Sequence, residues 1–409
     1  MGMTAPTPES LLEEIAWDKR PSGKTHLLCM GRAVFNQDIE ILRAYGNFRY
    51  SVLKASLFEK GLAPYVKKEW QTQTFFHKKY NDIDRNTKIF IEQYINKFIS
   101  YINNYRIIDG IVVANSDYWQ DEPLKVVCKK KSLPFIVLSR ENYIQKYERD
   151  FLINRVNKSG YKFTGDIMCV ASQRCREVLL ETGAYAAEQI AVTGWPRMDL
   201  YERPFDHLLP GKPLVTLIAY QDELYLAPKN FMDVLDTFIA LARENSRHFR
   251  FVIKVKKISH ARKLIRARPT LITAPVHIEW KALSHDVVRA SRIVIGYNTT
   301  GILEALLSEA DIIVPWWLDA VQPEDNLLIS AHSASNRKVF AFPHSRQEFI
   351  NCVKAGLARH NPENSPQTRR RELERYIHMP REGACAAFER TISQILSKKA
   401  ILTPKRHLP

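Results

Sequence analysis

From Thr25 onward, short runs rich in β-branched residues alternate with stretches whose apolar positions recur at helical spacing. The first six runs are HLLCMG (26–31), FRYSVLK (48–54), IDGIVVAN (108–115), FIVLSREN (135–142), DIMCVAS (166–172) and QIAVTGW (189–195). A second series follows: LVTLIAY (214–220), FRFVIKVK (249–256), VHIEW (276–280), RIVIGYN (292–298), DIIVPWW (311–317) and KVFAFP (338–343). Strand-length runs separated by helix-length stretches predict parallel sheets wrapped by crossover helices. The clearest helical stretch, 82–105, carries Ile89, Phe90, Tyr94, Ile95 and Phe98 at helical spacing, so this face is expected to lie against a sheet.

Between the two series, residues 201–213 hold three prolines, a glycine and no periodicity, which reads as a linker. The boundary falls near residue 205. It divides the chain into a Rossmann-like domain (1–205), a second Rossmann-like domain (206–375) and a closing segment (376–409). The length of 409 residues agrees, being too long for one ordinary core and suited to two α/β domains of roughly 150 to 200 residues. Two domains imply a cleft.

At 45% hydrophobic and 25% charged, with 15 glycines, the composition is that of a globular protein and excludes a fibrous or disordered chain. The six cysteines (Cys29, Cys128, Cys169, Cys175, Cys352, Cys385) show no CxxC pair and no His/Cys spacing of a zinc site. They read as buried thiols in a reducing compartment. No run of about 20 apolar residues occurs, and residues 1–24 lack an apolar signal core, so a cytoplasmic location is expected. The opening Met1-Gly2-Met3 resembles a cloning remnant, as an excised domain would carry. The 60 Lys+Arg against 44 Asp+Glu leave a formal charge of +16, which favours an anionic partner. No zinc finger, RRM signature or basic helix beside a heptad zipper accompanies that charge, so nucleic acid is not expected. A phosphorylated substrate fits, as does peripheral contact with an anionic inner membrane.

In open α/β sheets ligands bind beyond the carboxyl ends of strands, which directs attention to four turns. In IGYNTTGILEALLSEADIIVPWW (295–317) a strand ends at Asn298, the polar turn Thr299-Thr300-Gly301 follows, and a helix begins. Free backbone N–H groups there suit a nucleotide phosphate, and Glu304, one turn in, is placed to reach a ribose. The competing reading is that Asn298 or Thr299 merely caps the helix. In VTGWPRMDLY (192–201), Arg197 is placed for a donor phosphate, or else pairs with Asp199 as a hinge. In AYQDELY (219–225), Gln221, Asp222 and Glu223 follow the first strand of the second half, where a carboxylate serves as nucleophile or base unless the loop is simply solvated. In LSREN (138–142), Arg140 and Glu141 follow a strand of the first half, either facing Asp222 across the cleft or forming a surface ion pair. Lys254, Lys256 and Lys257 make a cationic edge suited to a phosphate or a sugar carboxylate, or a solvated face. The histidines, among them His260, His285 and His332, show no ligand spacing, and no metal is assigned to them.

The 295–317 segment resembles the nucleotide-binding segment of glycosyltransferases of the GT-B architecture, two Rossmann-like domains with a cleft between them. VTGWPRMDLY resembles the TGxPRxD element of bacterial polymer-building transferases, including CDP-glycerol glycerophosphotransferases and Kdo transferases. Taken together, and in the order of elements over both halves, these segments resemble the retaining β-Kdo transferases. Those enzymes add 3-deoxy-D-manno-octulosonic acid (Kdo) to the end of a lipopolysaccharide O-antigen chain. The resemblance implies CMP-β-Kdo as donor, a lipid-linked glycan as acceptor and retention through two displacements. It implies Asp222 as nucleophile and Glu141 as acid/base or acceptor-side carboxylate. Arg197, the turn Asn298, Thr299, Thr300 and Gly301, and Glu304 would hold CMP, Lys254 or Lys256 would meet the Kdo carboxylate, and Arg140 and Gln221 would touch sugar. No metal or other cofactor is implied, since GT-B enzymes typically stabilise the leaving nucleotide with helix N-termini and basic side chains. The amphipathic stretch 384–398 would cross back onto the first domain as a terminal helix, ahead of a basic tail (398–409).

CDP-glycerol transferases generally use a first-domain histidine. None follows the relevant strands here, since His77 precedes the long helix. That family is the alternative reading, with another CMP-sugar transferase. A UDP-GlcNAc 2-epimerase also stays open, because it shares the architecture and fold does not fix function.

Overall fold

The computed structural model describes all residues except 1–4, 22–23, 33–34, 72–73, 75–79, 144, 204–210, 220–226, 359–364 and 403–409. His77, the linker residues 204–210 and the loop containing Gln221, Asp222 and Glu223 therefore lie outside the described residues. The chain divides into two compact units, one of Met1–Asp199 with Ile377–Pro409, the other of Leu200–Tyr376.

The first unit is built on a six-stranded sheet in the order β2-β1-β3-β4-β5-β6. Its strands are β1 (His26–Gly31), β2 (Arg49–Lys54), β3 (Gly110–Val113), β4 (Phe135–Leu138), β5 (Ile167–Val170) and β6 (Ile190–Val192). All pairings are parallel. Every residue of β1, β3, β4 and β5 is buried, as strands covered on both faces must be, and this is why they read as unbroken apolar runs.

The helix Arg85–Tyr105 starts at Asp84, whose Oδ1 accepts the Thr87 N–H at 2.8 Å and satisfies one orphan donor of the first turn. Its buried stripe is Ile91, Tyr94, Ile95, Phe98, Ile99 and Ile102. Ile89 and Phe90, expected inward, are 42% and 54% exposed. The helix carries more apolar residues than one face holds, and the stripe of alternating three- and four-residue steps begins at Ile91, which turns the two earlier residues outward. Phe90 stacks instead on Tyr65, ring centroids 6.1 Å apart.

The helix Ala384–Leu402 completes the first unit. Asp199 caps its start, accepting the N–H groups of Ala384 (2.7 Å) and Cys385 (2.9 Å). Gly383 makes the close approach possible: its φ is +86°, and a Cβ there would sit 3.0 Å from Asp199 Oδ2. Further along, buried Glu389 accepts from the backbone of Asn47 and Phe48 (2.9 Å each) and from the Tyr50 hydroxyl (2.8 Å). These charge-assisted bonds tie the terminal helix to the start of β2.

The second unit carries a five-stranded parallel sheet in the order β11-β10-β7-β8-β9. Its strands are β7 (Leu214–Ile218), β8 (Arg250–Lys254), β9 (Val276–Glu279), β10 (Ser291–Ile295) and β11 (Asp311–Ile313). The helix Pro228–Asn245 covers one face, with Phe238 meeting Phe251 of β8 edge-on at 5.2 Å. The expected twelfth strand, 338–343, is not a strand. A 3-10 turn, Asn336–Lys338, takes its start and Pro343, which has no N–H, its end, leaving a single parallel bridge from Ala341 to Ile313.

All six thiols are free; five are buried as expected, and Cys352 is half-buried. Among the described residues no helix is long and apolar enough to cross a membrane.

Candidate functional site

Strand order reverses beside the first strand of each sheet: β2 and β3 flank β1, and β8 and β10 flank β7. Ligands of open α/β sheets sit outside the carboxyl ends of strands at such reversals. Two hollows open at the opposite ends of the strands. One of about 330 Å³ is lined by Asp109, Pro134 and Lys399, the other of about 380 Å³ by Lys212, Arg250 and Pro275. They therefore do not mark the places where the fold favours chemistry.

At the reversal in the first unit, β1 runs into Arg32 and β3 into Asn115, Ser116, Asp117 and Tyr118. The Arg32 guanidinium lies 4.7 Å from the Tyr118 ring centroid, and the residue pairs with Glu59. From the end of β4, Arg140 donates to the Tyr118 hydroxyl (2.9 Å) and to Glu141 (2.8 Å). Arg140 and Glu141 thus form the ion pair foreseen as one of their two readings, joined to the β3 turn through Tyr118. Lys125, 1% exposed, holds that turn from beneath, donating to the Ser116 carbonyl (2.9 Å) and the Tyr161 hydroxyl (3.1 Å).

Two carboxyls sit in this turn. Asp121, 4% exposed, accepts from the Tyr118 N–H and the Gln120 amide, both at 3.2 Å. Burial pushes its carboxyl up to about 8, with Arg32 and Lys125 opposing and Asp117 adding to the rise. Burial likewise pushes Asp117 up to about 6, against Arg155 and Lys125. Neighbouring carboxyls driven to different affinities divide the labour at neutral pH, one holding its proton and the other largely ionised. In the same turn Asn115 Oδ1 and Gln120 Oε1 are buried without a protein hydrogen-bond partner. Buried acceptors left unpaired cost free energy, and groups of this kind are the ones that ordered water ordinarily meets.

The second unit presents different chemistry. After β10, Asn298 Oδ1 accepts the Ile329 N–H (3.3 Å) and that of Leu328, while Thr299 Oγ1 accepts the Gly301 N–H (3.0 Å). Thr299 is therefore a cap, and the helix it opens, Thr300–Glu304, lasts five residues before tightening into a 3-10 turn. Thr300 is exposed and Gly301 buried. Glu304, 8% exposed, accepts from the Tyr201 hydroxyl (3.2 Å). At the end of β8, Lys254 is 5% exposed and donates to the Val255 carbonyl (3.1 Å); burial lowers its proton affinity, with Glu279 opposing. Lys256 and Lys257 are exposed and lead into the helix Ile258–Ala267, where Arg262, Lys263 and Arg266 are exposed too. Residues 245–278 hold nine Lys/Arg and no Asp or Glu. β7 ends beside Lys254, since the Ala219 N–H bonds to the Lys254 carbonyl (2.9 Å).

Arg197 does not lie on an open phosphate-binding surface. It is 5% exposed, packs 3.9 Å above the Trp195 ring and donates Nη1 (2.7 Å) and its backbone N–H (3.0 Å) to Asp38. Its partner is thus Asp38 of the helix Phe35–Tyr45, while Asp199, the expected hinge partner, caps the terminal helix. Among the described residues, no group of three or more His, Cys, Asp and Glu is placed to hold a metal ion. Asn115, Asp117, Tyr118, Gln120 and Asp121 are not among the residues expected from the four turns. The signal was present, since NSDYWQD (115–121) starts where the third apolar run stops.

No protein-family model matches the chain, and no curated protein matches its sequence. Solved structures match its fold. A protein assigned as a UDP-N-acetylglucosamine 2-epimerase from Listeria monocytogenes superposes with a TM-score of 0.54 at 14% identity, covering 92% of this chain and 97% of that one. MnaA of S. aureus, solved with UDP, gives 0.50 at 15% identity, covering 94% and 99%. With two parallel Rossmann-like sheets in tandem, the fold is GT-B.

Proposed function

We propose that the protein is a glycosyltransferase that takes its sugar from a sugar nucleotide, with CMP-β-Kdo as donor and a cell-surface glycan as acceptor. The observation that supports this donor is the set of exposed cations that follows β8, Lys256 and Lys257 and then Arg262, Lys263 and Arg266, because CMP-Kdo carries both a phosphate and a carboxylate. In the proposed reaction the Asp222 carboxylate attacks the anomeric carbon, the bond to CMP breaks, and a glycosyl ester forms. An acceptor hydroxyl then displaces Asp222, giving up its proton to a carboxylate, so that two inversions leave the configuration unchanged. Glu141 or Asp117 is that carboxylate. Lys254 or Lys256 meets the Kdo carboxylate, and the Asn298–Gly301 turn with Glu304 binds the nucleotide. Basic side chains stabilise the leaving CMP, and no cofactor takes part. The same positive charge suits peripheral contact with an anionic membrane that carries a lipid-linked acceptor.

A second reading, a UDP-GlcNAc 2-epimerase, is favoured by the assignment of the Listeria protein that shares the fold. One assay separates the two. CMP release from CMP-Kdo, dependent on Asp222, supports the transferase; conversion of UDP-GlcNAc without acceptor, and inertness towards CMP-Kdo, supports the epimerase.

A further inference from the structure

The helix Arg85–Tyr105 leaves Ile89 and Phe90 in water, and Tyr65, 38% exposed, stacks on Phe90 with 16° between the ring planes. Pro64, beside Tyr65, is exposed as well. Large apolar side chains left in water forgo the stabilisation that burial would bring, and contiguous ones mark interaction surfaces. Charge narrows the choice of partner. Residues 60–97 hold eight Lys/Arg against four Asp/Glu. Among the described residues of that stretch, Lys60, Lys67, Lys68, Arg85 and Lys97 are exposed, against three exposed acids, Glu69, Asp82 and Asp84. Arg85 precedes Ile89 by one turn and Lys97 follows Phe90 by two, so both cations share the side of the helix that carries the apolar pair. The helix's single acid, Glu92, is half-buried and accepts from Lys130 and the Tyr80 hydroxyl.

The helix leads into β3, and in a parallel sheet such a crossover runs back against the strands. Phe90 stands about 22 Å back from the end of this helix, and β1, with six residues, is about 20 Å long. The patch therefore lies level with the carboxyl edge of the first sheet, the edge that carries Asp117, Asp121 and Glu141. Among the described residues no helix is long and apolar enough to cross a membrane, so a bilayer can be met only by a face lying in its interface. We propose that this is that face: Tyr65, Ile89 and Phe90 enter the headgroup boundary of an anionic bilayer, and Lys67, Lys68, Arg85 and Lys97 hold lipid phosphates. Apolar insertion and basic charge together give the two signals that stable anchoring takes. This deepens the proposed function by assigning the surface that meets the membrane, and it rests on that reading for its biological role.

The test uses vesicles alone. The full chain should float with vesicles of equal parts phosphatidylcholine and phosphatidylglycerol, far less with phosphatidylcholine, and binding should weaken as salt is raised. An Ile89→Ser/Phe90→Ser double variant, both residues being exposed, should fold as the parent and bind about tenfold more weakly. Lys67→Glu/Lys68→Glu should lose the preference for phosphatidylglycerol. Flotation of the parent with neither vesicle, or binding equal to the parent's by either double variant, overturns the proposal. Loss of binding in Arg262→Glu/Lys263→Glu alone also overturns it, by moving the contact to the second unit. So does a parent dimer that Ile89→Ser/Phe90→Ser dissociates, which would give the surface to a second copy of the chain. Because no nucleotide or sugar is present, failure of the CMP-Kdo assay leaves this result standing, and the converse also holds.

Discussion

Beyond β1 and β3 the first unit gathers Asp117, Asp121 and Glu141 around Tyr118, whereas beyond β8 the second unit presents Lys256 and Lys257, with Lys254 buried at the strand end, within 34 residues free of acid. Both edges are produced by the same device, a parallel sheet whose strand order reverses beside its first strand. The scaffold fixes where a ligand goes, and the side chains fix which one. An edge of buried carboxyls set among Arg32, Lys125 and Arg140 suits proton transfer, and one with exposed lysines favours phosphate and carboxylate. The internal stitching is alike, since both units hold turns with buried charge, Arg197 on Asp38 and Lys125 beneath Ser116 in the first, Arg369 on the Ser308 and Ala310 carbonyls in the second.

Replacing Asp222 by Ala should produce the largest effect, a fall of about 10⁴-fold in transfer read as kcat, because the two-step route loses its nucleophile. Next comes Arg197→Ala. It strands a buried Asp38 carboxylate and should cost about 3–5 kcal/mol in denaturant unfolding. If it instead raised the donor KM at unchanged stability, Arg197 would belong with the cationic edge and the contrast between units would fail.

Asp117→Asn should lower kcat/KM about 10²-fold. The parent rate should rise with pH through about 6, as Asp117 ionises, and that limb should vanish in the variant. Asp121 offers a stability test at the same edge. Its folded affinity, about 8, lies above that of an ordinary Asp, so between the two values the native state binds the extra proton. Stability is therefore highest on the acid side and is lost as pH rises through about 8. Comparing Tm at pH 6 and 9, the parent should fall further than Asp121→Asn; an identical fall would remove Asp121 from the account. Groups facing it are Arg32, Lys125 and Asp117.

On the cationic edge, Lys256→Ala should raise the donor KM about tenfold with kcat little changed, an effect that shrinks with salt. The smallest change expected is Tyr201→Phe, about 1 kcal/mol of stability from one hydrogen bond to Glu304.

Eleven of the twelve apolar runs became strands; those buried along their whole length, such as β1, β3, β4, β5 and β7, announce themselves locally as unbroken apolar runs. The exception, 338–343, looked identical in composition, and Pro343 was the local warning. What stayed hidden depended on distance along the chain. Asp38, the partner of Arg197, lies 159 positions away, and nothing near VTGWPRMDLY identifies it. The importance of NSDYWQD followed from strand order, which spacing alone does not give, although its place at a strand end was legible. The cationic edge was visible as a run of charge. Its acid-free span of 245–278 is a stronger signal than Lys254, Lys256 and Lys257 alone.

The central claim is transfer through a covalent glycosyl ester, and intact-mass spectrometry tests it most directly. After incubation with freshly generated CMP-Kdo and no acceptor, the parent should gain the mass of one Kdo, with fragmentation placing it on Asp222, and Asp222→Ala should gain none. An unmodified parent that releases no CMP, while converting UDP-GlcNAc, would contradict the account.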